Sequence, residues 1–150
     1  MSAYRTVVVG TDGSESSLKA VERAASIAAD AGAQLIIACA YYPADPKDVS
    51  AAADVLGDEA YQVTGSTPTY EILRTARERA HAAGAEKVVE RAIVGAPVES
   101  LLALLEEVEG DLLVIGNRGL NTLTGRLLGS VPSDAARKAT SDVLIVHTVR

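Results

Sequence analysis

The feature that most constrains this fold is a regular alternation of short apolar runs with longer segments that have helical spacing. The runs are rich in Val, Ile, Leu and Ala, and several are unbroken by polar residues, which is typical of strands buried on both faces. We therefore predict five strands, which cover Arg5–Gly10, Gln34–Tyr41, Lys87–Val94, Asp111–Ile115 and Asp142–His147. The third run is more polar than the others, so we expect it at an edge of the sheet.

Helices are predicted between the strands, and turn residues mark where they begin and end. Serine, threonine and proline are favoured at helix starts, and glycine is favoured just after helix ends. The predicted helices run from Ser14 or Ser16 to Gly32, from Thr67-Pro68 (capped by Ser66 or Thr67) to Gly84, from Val98 to Val108, and from Ser133 to Ala139. The irregular stretch Pro43–Gly65 is interpreted as a mobile excursion, a candidate lid with a short helix over Asp48–Leu56.

Strands that alternate with helices indicate an α/β fold, a three-layer sandwich with a five-stranded parallel sheet and helices on both faces. The length of 150 residues fits one domain over 1–150. Right-handed crossovers restrict the layout strongly. If the chain winds outward from the first strand in both directions, the strand order is 3-2-1-4-5. Ligands then bind beyond the carboxyl ends of strands 1 and 4, where the winding reverses.

Two glycine-punctuated loops meet at that predicted point. The first is Gly10–Ser14, and the second begins with Gly116-Asn117-Arg118-Gly119 and reaches Gly129-Ser130 after nine intervening residues. Glycine permits close approach of a ligand and reaches φ > 0 without strain. Backbone N–H groups and a helix N-terminus can then bind an anion, usually a phosphate. The pair of loops therefore predicts a phosphate-containing ligand.

Each of these residues also has a purely structural interpretation. Asp12 can be a turn residue that accepts a hydrogen bond from the backbone two residues further on. The glycines can be ordinary turn residues, and Ser130 can cap the last helix. Arg118 and Arg126 can be solvated surface charges. The joint spacing of the glycines favours phosphate binding over ordinary turns, and the place of Asp12 at the predicted switch point favours a ligand role. Both interpretations stay open for Arg118, and a surface charge is favoured for Arg126.

Composition and charge argue against several other functions. The net charge of −6 argues against a generic binder of nucleic acid or anionic membranes. The apolar runs are far below the roughly 20 residues that span a bilayer, and the chain enters its first strand directly, so we predict a cytoplasmic protein. Cys39 is the only cysteine and is interpreted as a core residue. His81 and His147 lie far apart in sequence, so no metal site is predicted.

Three motifs resemble a known family over nearly the full length of the chain. These are Val9–Ser14, Val94-Gly95-Ala96-Pro97 and Gly116-x-x-Gly119-x(9)-Gly129-Ser130. Together they resemble the single-domain universal stress proteins, and the match looks closest to small actinobacterial members, among which cyclic AMP binders are known. The resemblance implies the 3-2-1-4-5 sheet, a homodimer formed through the last strand Asp142–His147, and an adenine nucleotide as ligand. That ligand would be cyclic AMP or ATP, the latter with Mg²⁺.

The resemblance also implies roles for individual residues. Asp12 would face the adenine or ribose, and Ala40 would meet the adenine through its backbone. Ile115 and Gly116 would close over the nucleoside, while the later glycines of the motif and Ser130 would hold phosphate. Pro132 replaces a Ser or Thr that many family members have, so fewer phosphate contacts are expected. The complete predicted site comprises Gly10, Thr11, Asp12, Ala40, Ile115, Gly116, Arg118, Gly119, Gly129, Ser130 and Val131, with no catalytic residue.

The function that these observations favour is a nucleotide-binding regulatory protein, either a ligand sensor or a protein that sequesters the nucleotide. A triphosphate usually requires Lys, Arg or Mg²⁺ to offset its charge, and the loop has no lysine of the P-loop type. This favours the single phosphate of cyclic AMP. Two alternatives stay open: a slow ATPase or phosphotransferase, in which Asp12 would be the carboxylate near the phosphates, and a nucleotide-independent protein that acts through its dimer surface.

Overall fold

A computed structural model describes residues 3–42, 66–117 and 130–148. The predicted excursion Pro43–Gly65, with its short helix over Asp48–Leu56, lies outside these residues. Five strands and four helices alternate along the described chain, as the sequence predicts. They are β1 (Thr6–Gly10), α1 (Glu15–Ala31), β2 (Gln34–Tyr41), α2 (Ser66–Ala82), β3 (Val88–Val94), α3 (Pro97–Glu107), β4 (Leu112–Gly116), α4 (Ser130–Lys138) and β5 (Asp142–Val146).

The strands form one parallel sheet in the order β3-β2-β1-β4-β5, which confirms the predicted topology. Helices α1 and α2 cover one face, and α3 and α4 cover the other. Strand β3 lies at an edge and its residues are mostly half-buried, in agreement with its more polar sequence. The switch in winding direction falls between β1 and β4.

The two faces of the sheet are packed with different side chains. The face under α1 and α2 is rich in Ala and Val, whose small side chains allow those helices to lie close to the sheet. The face under α3 and α4 relies on larger aliphatic residues, among them Leu101, Leu104, Leu105, Leu113 and Ile115. Because the chain has no Phe or Trp, this aliphatic packing is the core that its composition allows.

Two helices begin earlier than the sequence predicts, and proline explains both differences. The last helix was predicted to start at Ser133, but α4 begins at Ser130 and includes Pro132. The third was predicted to start at Val98, but α3 begins at Pro97. N–H groups in the first turn of a helix have no intrahelical acceptor, so a proline there loses no hydrogen bond.

The other ends of the helices and strands differ from the predicted ones by one or two residues. Of the two predicted caps of α1, Ser14 is the one observed: its Oγ accepts the N–H of Ser17 at 3.1 Å. The same helix ends at Gly32, which has a left-handed φ of 67°. Helix α2 begins at Ser66, and β5 ends at Val146, one residue before the predicted end at His147.

Candidate functional site

The sheet divides at its carboxyl edge between β1 and β4. Pairing between these strands ends at Val9 and Val114. Beyond that point β1 stays with β2, because Gly10 pairs with Ala38 and the N–H of Thr11 donates to the Ala38 carbonyl at 2.9 Å.

Strand β4 stays with β5 on the other side of this division. Gly116 pairs with Val146, and the N–H of Asn117 donates to the Val146 carbonyl at 2.8 Å. The two glycine-punctuated loops therefore leave the sheet on opposite sides of a crevice at the topological switch point. This is the place where parallel α/β sheets bind their ligands.

The loop after β1 is held from within by hydroxyl groups. Thr11 is only 1% exposed, and its Oγ1 lies 2.8 Å from Ser17 Oγ. The Gly13 N–H donates to Thr11 Oγ1 at 3.1 Å, and Ser17 Oγ donates to the Ser14 carbonyl at 2.9 Å. Since the one proton of Ser17 is used there, Thr11 donates to Ser17. The hydroxyl and the N–H of Thr11 are thus used inside the protein, and its ligand role stays a prediction.

Asp12 makes the turn that its structural interpretation predicts. Its Oδ1 accepts the N–H of Ser14 at 2.9 Å. Next to it, Gly13 has φ of 87°, and a Cβ atom there would lie 3.0 Å from Cγ1 of Ile72 in α2. Both the backbone conformation and the space favour glycine at this position. The turn places Asp12 at the mouth of the crevice, and its proposed contact with a nucleoside stays a prediction.

A group of polar side chains at the start of the second loop was missed by the sequence analysis. Asn117 Oδ1 accepts two hydrogen bonds from Thr148, one from its N–H at 2.9 Å and one from its hydroxyl at 3.0 Å. The hydroxyl of Thr148 also bonds to that of Ser16, in the first turn of α1. A polar residue directly after a buried strand was the available signal for Asn117; the contacts of Ser16 and Thr148 depend on the fold.

Three other residues of the predicted site, Ile115, Gly116 and Ala40, lie within the strands that border the crevice or next to them. The side chain of Ile115 is fully buried in the core under α3 and α4, so a ligand could reach this residue only through its backbone. A Cβ atom on Gly116 would lie 3.3 Å from Thr148 Oγ1 and 3.5 Å from Ser16 Oγ. Ala40 is half-buried in β2 and pairs with Ile93.

The phosphate-binding part of the predicted site lies mostly outside the described residues. Arg118, Gly119 and Gly129 belong to the segment between Gly116 and α4 that is not described. Ser130 and Val131 form the beginning of α4. Their predicted contacts with phosphate therefore stay predictions.

The pKa values of two side chains near the crevice are shifted, one by burial and the other by an ion pair. Burial of Cys39, followed by the nearby charge of Asp12, raises the pKa of its thiol to about 12. A hydrogen bond from Arg79, together with its charge, lowers the pKa of Glu15 at the start of α1.

Within residues 3–42, 66–117 and 130–148 no cluster of three or more His, Cys, Asp or Glu residues could hold a metal ion. None of the helices described is both long and apolar enough to cross a membrane.

Comparison with known proteins identifies the class of this fold and site. The model of the universal stress protein family matches residues 3–147, so the chain belongs to that family. The universal stress protein Rv1636 of Mycobacterium tuberculosis is 62% identical over 148 residues, which are 99% of each chain.

Two solved structures extend this similarity to three dimensions. One is a universal stress protein in complex with cAMP, which is 60% identical, with a TM-score of 0.77 over 99% of this chain and 100% of that chain. The other is Rv1636 from Mycobacterium tuberculosis, with a TM-score of 0.62 and 54% identity when the structures are superposed, over 99% of each chain.

Proposed function

We propose that this protein binds an adenine nucleotide, with cyclic AMP preferred, in the crevice between β1 and β4. The observation that carries the proposal is the full-length similarity, at 60% identity, to a universal stress protein solved in complex with cAMP. The division of the sheet beyond the Val9–Val114 pair supplies a crevice at the position where such a ligand would bind. Binding would serve to sense or to sequester the nucleotide.

The charge of the chain supports a ligand with one phosphate. The net charge is −6, and residues 118–129 contain two arginines and no lysine. A cyclic phosphodiester carries a single negative charge, which a few backbone N–H groups and a helix N-terminus can accommodate. ATP is the competing ligand, and its triphosphate would need Mg²⁺ or several basic side chains.

The proposal includes a homodimer formed through β5 in the cytoplasm. Strand β5 is an edge strand, and its central residues Val143, Leu144 and Ile145 are only half-buried in the single chain. Edge strands with partly exposed apolar side chains are commonly covered by another chain. Sedimentation equilibrium of the full chain tests the dimer, and a monomer at micromolar concentration would contradict it.

Calorimetric titration of the full chain with cyclic AMP and with ATP–Mg²⁺ tests the ligand. The Gly119→Glu variant places a side chain and a negative charge in the glycine motif, so we expect at least a roughly tenfold weaker cyclic AMP affinity. Ser26→Glu adds the same charge on the exposed side of α1 and should bind like the parent.

The outcomes separate the alternatives. Tight ATP binding without a cyclic AMP signal would overturn the preference for cyclic AMP. Absence of binding for both nucleotides, or unchanged affinity in Gly119→Glu, would overturn the proposed site. Release of phosphate from ATP–Mg²⁺ that Asp12→Ala abolishes would instead indicate an enzyme.

A further inference from the structure

Three side chains from distant parts of the sequence join the end of β5 to the start of the glycine loop. They are Ser16 in α1, Asn117 directly after β4, and Thr148 two residues after β5. We call them the Ser16–Thr148–Asn117 bracket. Thr148 is the central member and is 7% exposed, so these hydrogen bonds are largely shielded from water. Shielding makes each bond harder to replace when one partner is removed.

The direction of each bond in the bracket follows from counting protons. The hydroxyl of Thr148 has one proton, which it donates to Asn117 Oδ1 at 3.0 Å. Ser16 must therefore donate to Thr148 Oγ1. Asn117 Oδ1 also accepts the N–H of Thr148 at 2.9 Å, so both of its lone pairs are used. The orientation of the Asn117 side chain is thereby fixed.

Gly116 makes room for the bracket. A Cβ atom at this position would lie 3.3 Å from Oγ1 and 3.4 Å from Cγ2 of Thr148. Gly116 does not have a left-handed φ, in contrast to Gly13 at 87°. A side chain at 116 would therefore press on Thr148, and the backbone conformation itself does not call for glycine.

We propose that Thr148 is a positioning residue for the nucleotide site. Through the bracket it holds Asn117, the first residue of the loop after Gly116, and ties it to the first turn of α1. The two sides of the crevice are then fixed relative to each other before the ligand arrives. This inference rests on the proposed nucleotide function and adds to it a coupling between the crevice and β5.

Affinity depends on this arrangement because fixing the two sides of a binding crevice has an entropic cost. Two sides that are already joined by the bracket lose less conformational entropy when the ligand binds. The backbone bond from Asn117 to Val146 does not involve the bracket. Removing the Thr148 hydroxyl therefore leaves the pairing of β4 and β5 intact. It also leaves the bond from the Thr148 N–H to Asn117 Oδ1, and it breaks the link through Thr148 Oγ1 that joins Asn117 to Ser16 in α1.

The test compares two variants of Thr148 with a control at the other end of β5. Thr148→Val keeps the shape and removes the hydroxyl, whereas Thr148→Ser keeps the hydroxyl. Tyr4→Phe removes the hydrogen bond from Tyr4 Oη to Asp142 Oδ2, which is 2.9 Å long and anchors the first residue of β5. Cyclic AMP affinity is measured by calorimetry well below the thermal midpoint of every variant.

We expect Thr148→Val to bind cyclic AMP about tenfold more weakly than the parent, because the link through the Thr148 hydroxyl between Asn117 and the first turn of α1 is lost. Thr148→Ser should bind within about twofold of the parent, since one hydroxyl is enough to remake the bracket. Tyr4→Phe should lower the thermal midpoint without a change in affinity. If Thr148→Val lowers the midpoint as Tyr4→Phe does and binds like the parent, the residue is merely structural and the proposal is wrong.

A second variant covers the outcome in which Thr148→Val does not fold. Ser16→Ala removes the hydroxyl that donates to Thr148. Because alanine has a higher helix propensity than serine, we expect no loss of stability from α1 itself. We expect a severalfold loss of cyclic AMP affinity at an unchanged midpoint. Unchanged affinity in Ser16→Ala would contradict the role of the bracket.

Hydrogen exchange separates failure of this inference from failure of the proposed function. Without ligand, backbone amides in residues 116–130 should exchange faster in Thr148→Val and Ser16→Ala than in the parent and in Tyr4→Phe. If the parent binds no nucleotide but the amides of Thr148→Val and Ser16→Ala still exchange faster than those of the parent, the bracket works and the proposed function is wrong. Unchanged exchange with normal cyclic AMP binding by the variants would overturn the bracket and leave the proposed function intact.

Discussion

The two ends of the sheet are held together by different kinds of side chain. At the amino end the acceptors are carboxylates: Asp111 accepts the N–H groups of Arg5 and Thr6 at 2.9 and 3.0 Å, and Asp142 accepts the Tyr4 hydroxyl. At the carboxyl end the groups that lock the elements to one another are mostly neutral. They are the hydroxyls of Thr11, Ser16, Ser17 and Thr148 and the amide of Asn117.

The difference matters for the kind of ligand that each end could bind. A carboxylate next to a phosphate is repelled at short range, whereas hydroxyls and an amide fix a loop without adding charge. The carboxyl end does contain Asp12 and Glu15, but Asp12 Oδ1 is used in its turn and Glu15 is paired with Arg79. Among the residues that the structure describes, the side chains at the carboxyl end are therefore better suited to the proposed anionic ligand than those at the amino end, and three measurements test this contrast.

The largest expected effect is the protection of Cys39, near the carboxyl end of β2. The thiol is fully buried, and its pKa is raised from 9.0 to about 12. At pH 8 the thiolate fraction should then be about a thousandfold smaller than for an exposed thiol. We expect labelling with a thiol reagent to be slower by at least that factor in the native protein than in denaturant. Rapid labelling of the native protein would show that the carboxyl end of the sheet opens to solvent. The neutral side chains there would then not lock the elements together, and the contrast between the two ends would be wrong.

The second effect concerns stability at the amino end. Asp111→Ala leaves two backbone N–H groups without their acceptor, and we expect unfolding in urea to show a loss of about 2 kcal/mol. Asp111→Asn keeps one carbonyl oxygen and should fall between this variant and the parent. Cyclic AMP affinity should not change in either. A variant that lost affinity at constant stability would reverse the assignment of roles to the two ends.

The sequence predicts the organisation of this fold better than the interior of its site. Unbroken apolar runs and right-handed crossovers predicted a parallel sheet and restricted its layout. The family resemblance then indicated the strand order that brings the loops after β1 and β4 together. The sequence analysis did not predict the early start of α4, which places Pro132 in the first turn, where proline is tolerated.

The bracket could not be predicted for a different reason. Ser16 and Thr148 are 132 positions apart, and their contact depends on the register of β5 and the tilt of α1. A threonine that follows the last strand is not part of any sequence pattern that predicts such a contact. Likewise, Ile115 follows the periodicity of a buried strand equally well whether its side chain faces a ligand or, as here, the core.

The smallest expected effect concerns Glu15, the carboxylate at the start of α1. It tests whether pairing of this carboxylate contributes to the difference between the two ends of the sheet. Arg79 lies 3.1 Å from Glu15 and 2.7 Å from Glu22. The hydrogen bond and charge of Arg79 lower the pKa of Glu15 below its usual value of 4.5. The pair therefore adds stability above about pH 4.5, and this is lost as the pH falls through the lowered value. Arg79→Gln should lower the thermal midpoint by about one degree at pH 7, because exposed pairs contribute little.

The pH and salt dependence identify the pair as the cause. The difference between Arg79→Gln and the parent should shrink below pH 4.5 and in 1 M salt, which screens exposed charges over about 3 Å. Arg74→Gln is the matched control, since the Arg74–Glu78 pair lies on the exposed surface of α2 at 3.8 Å and does not involve α1. Arg79→Gln should also weaken cyclic AMP binding by less than about twofold at low salt, because the charge of Glu15 would then lie near the proposed site without its partner. Equal effects in both variants would contradict a part for the Glu15–Arg79 pair in the proposed binding of an anion.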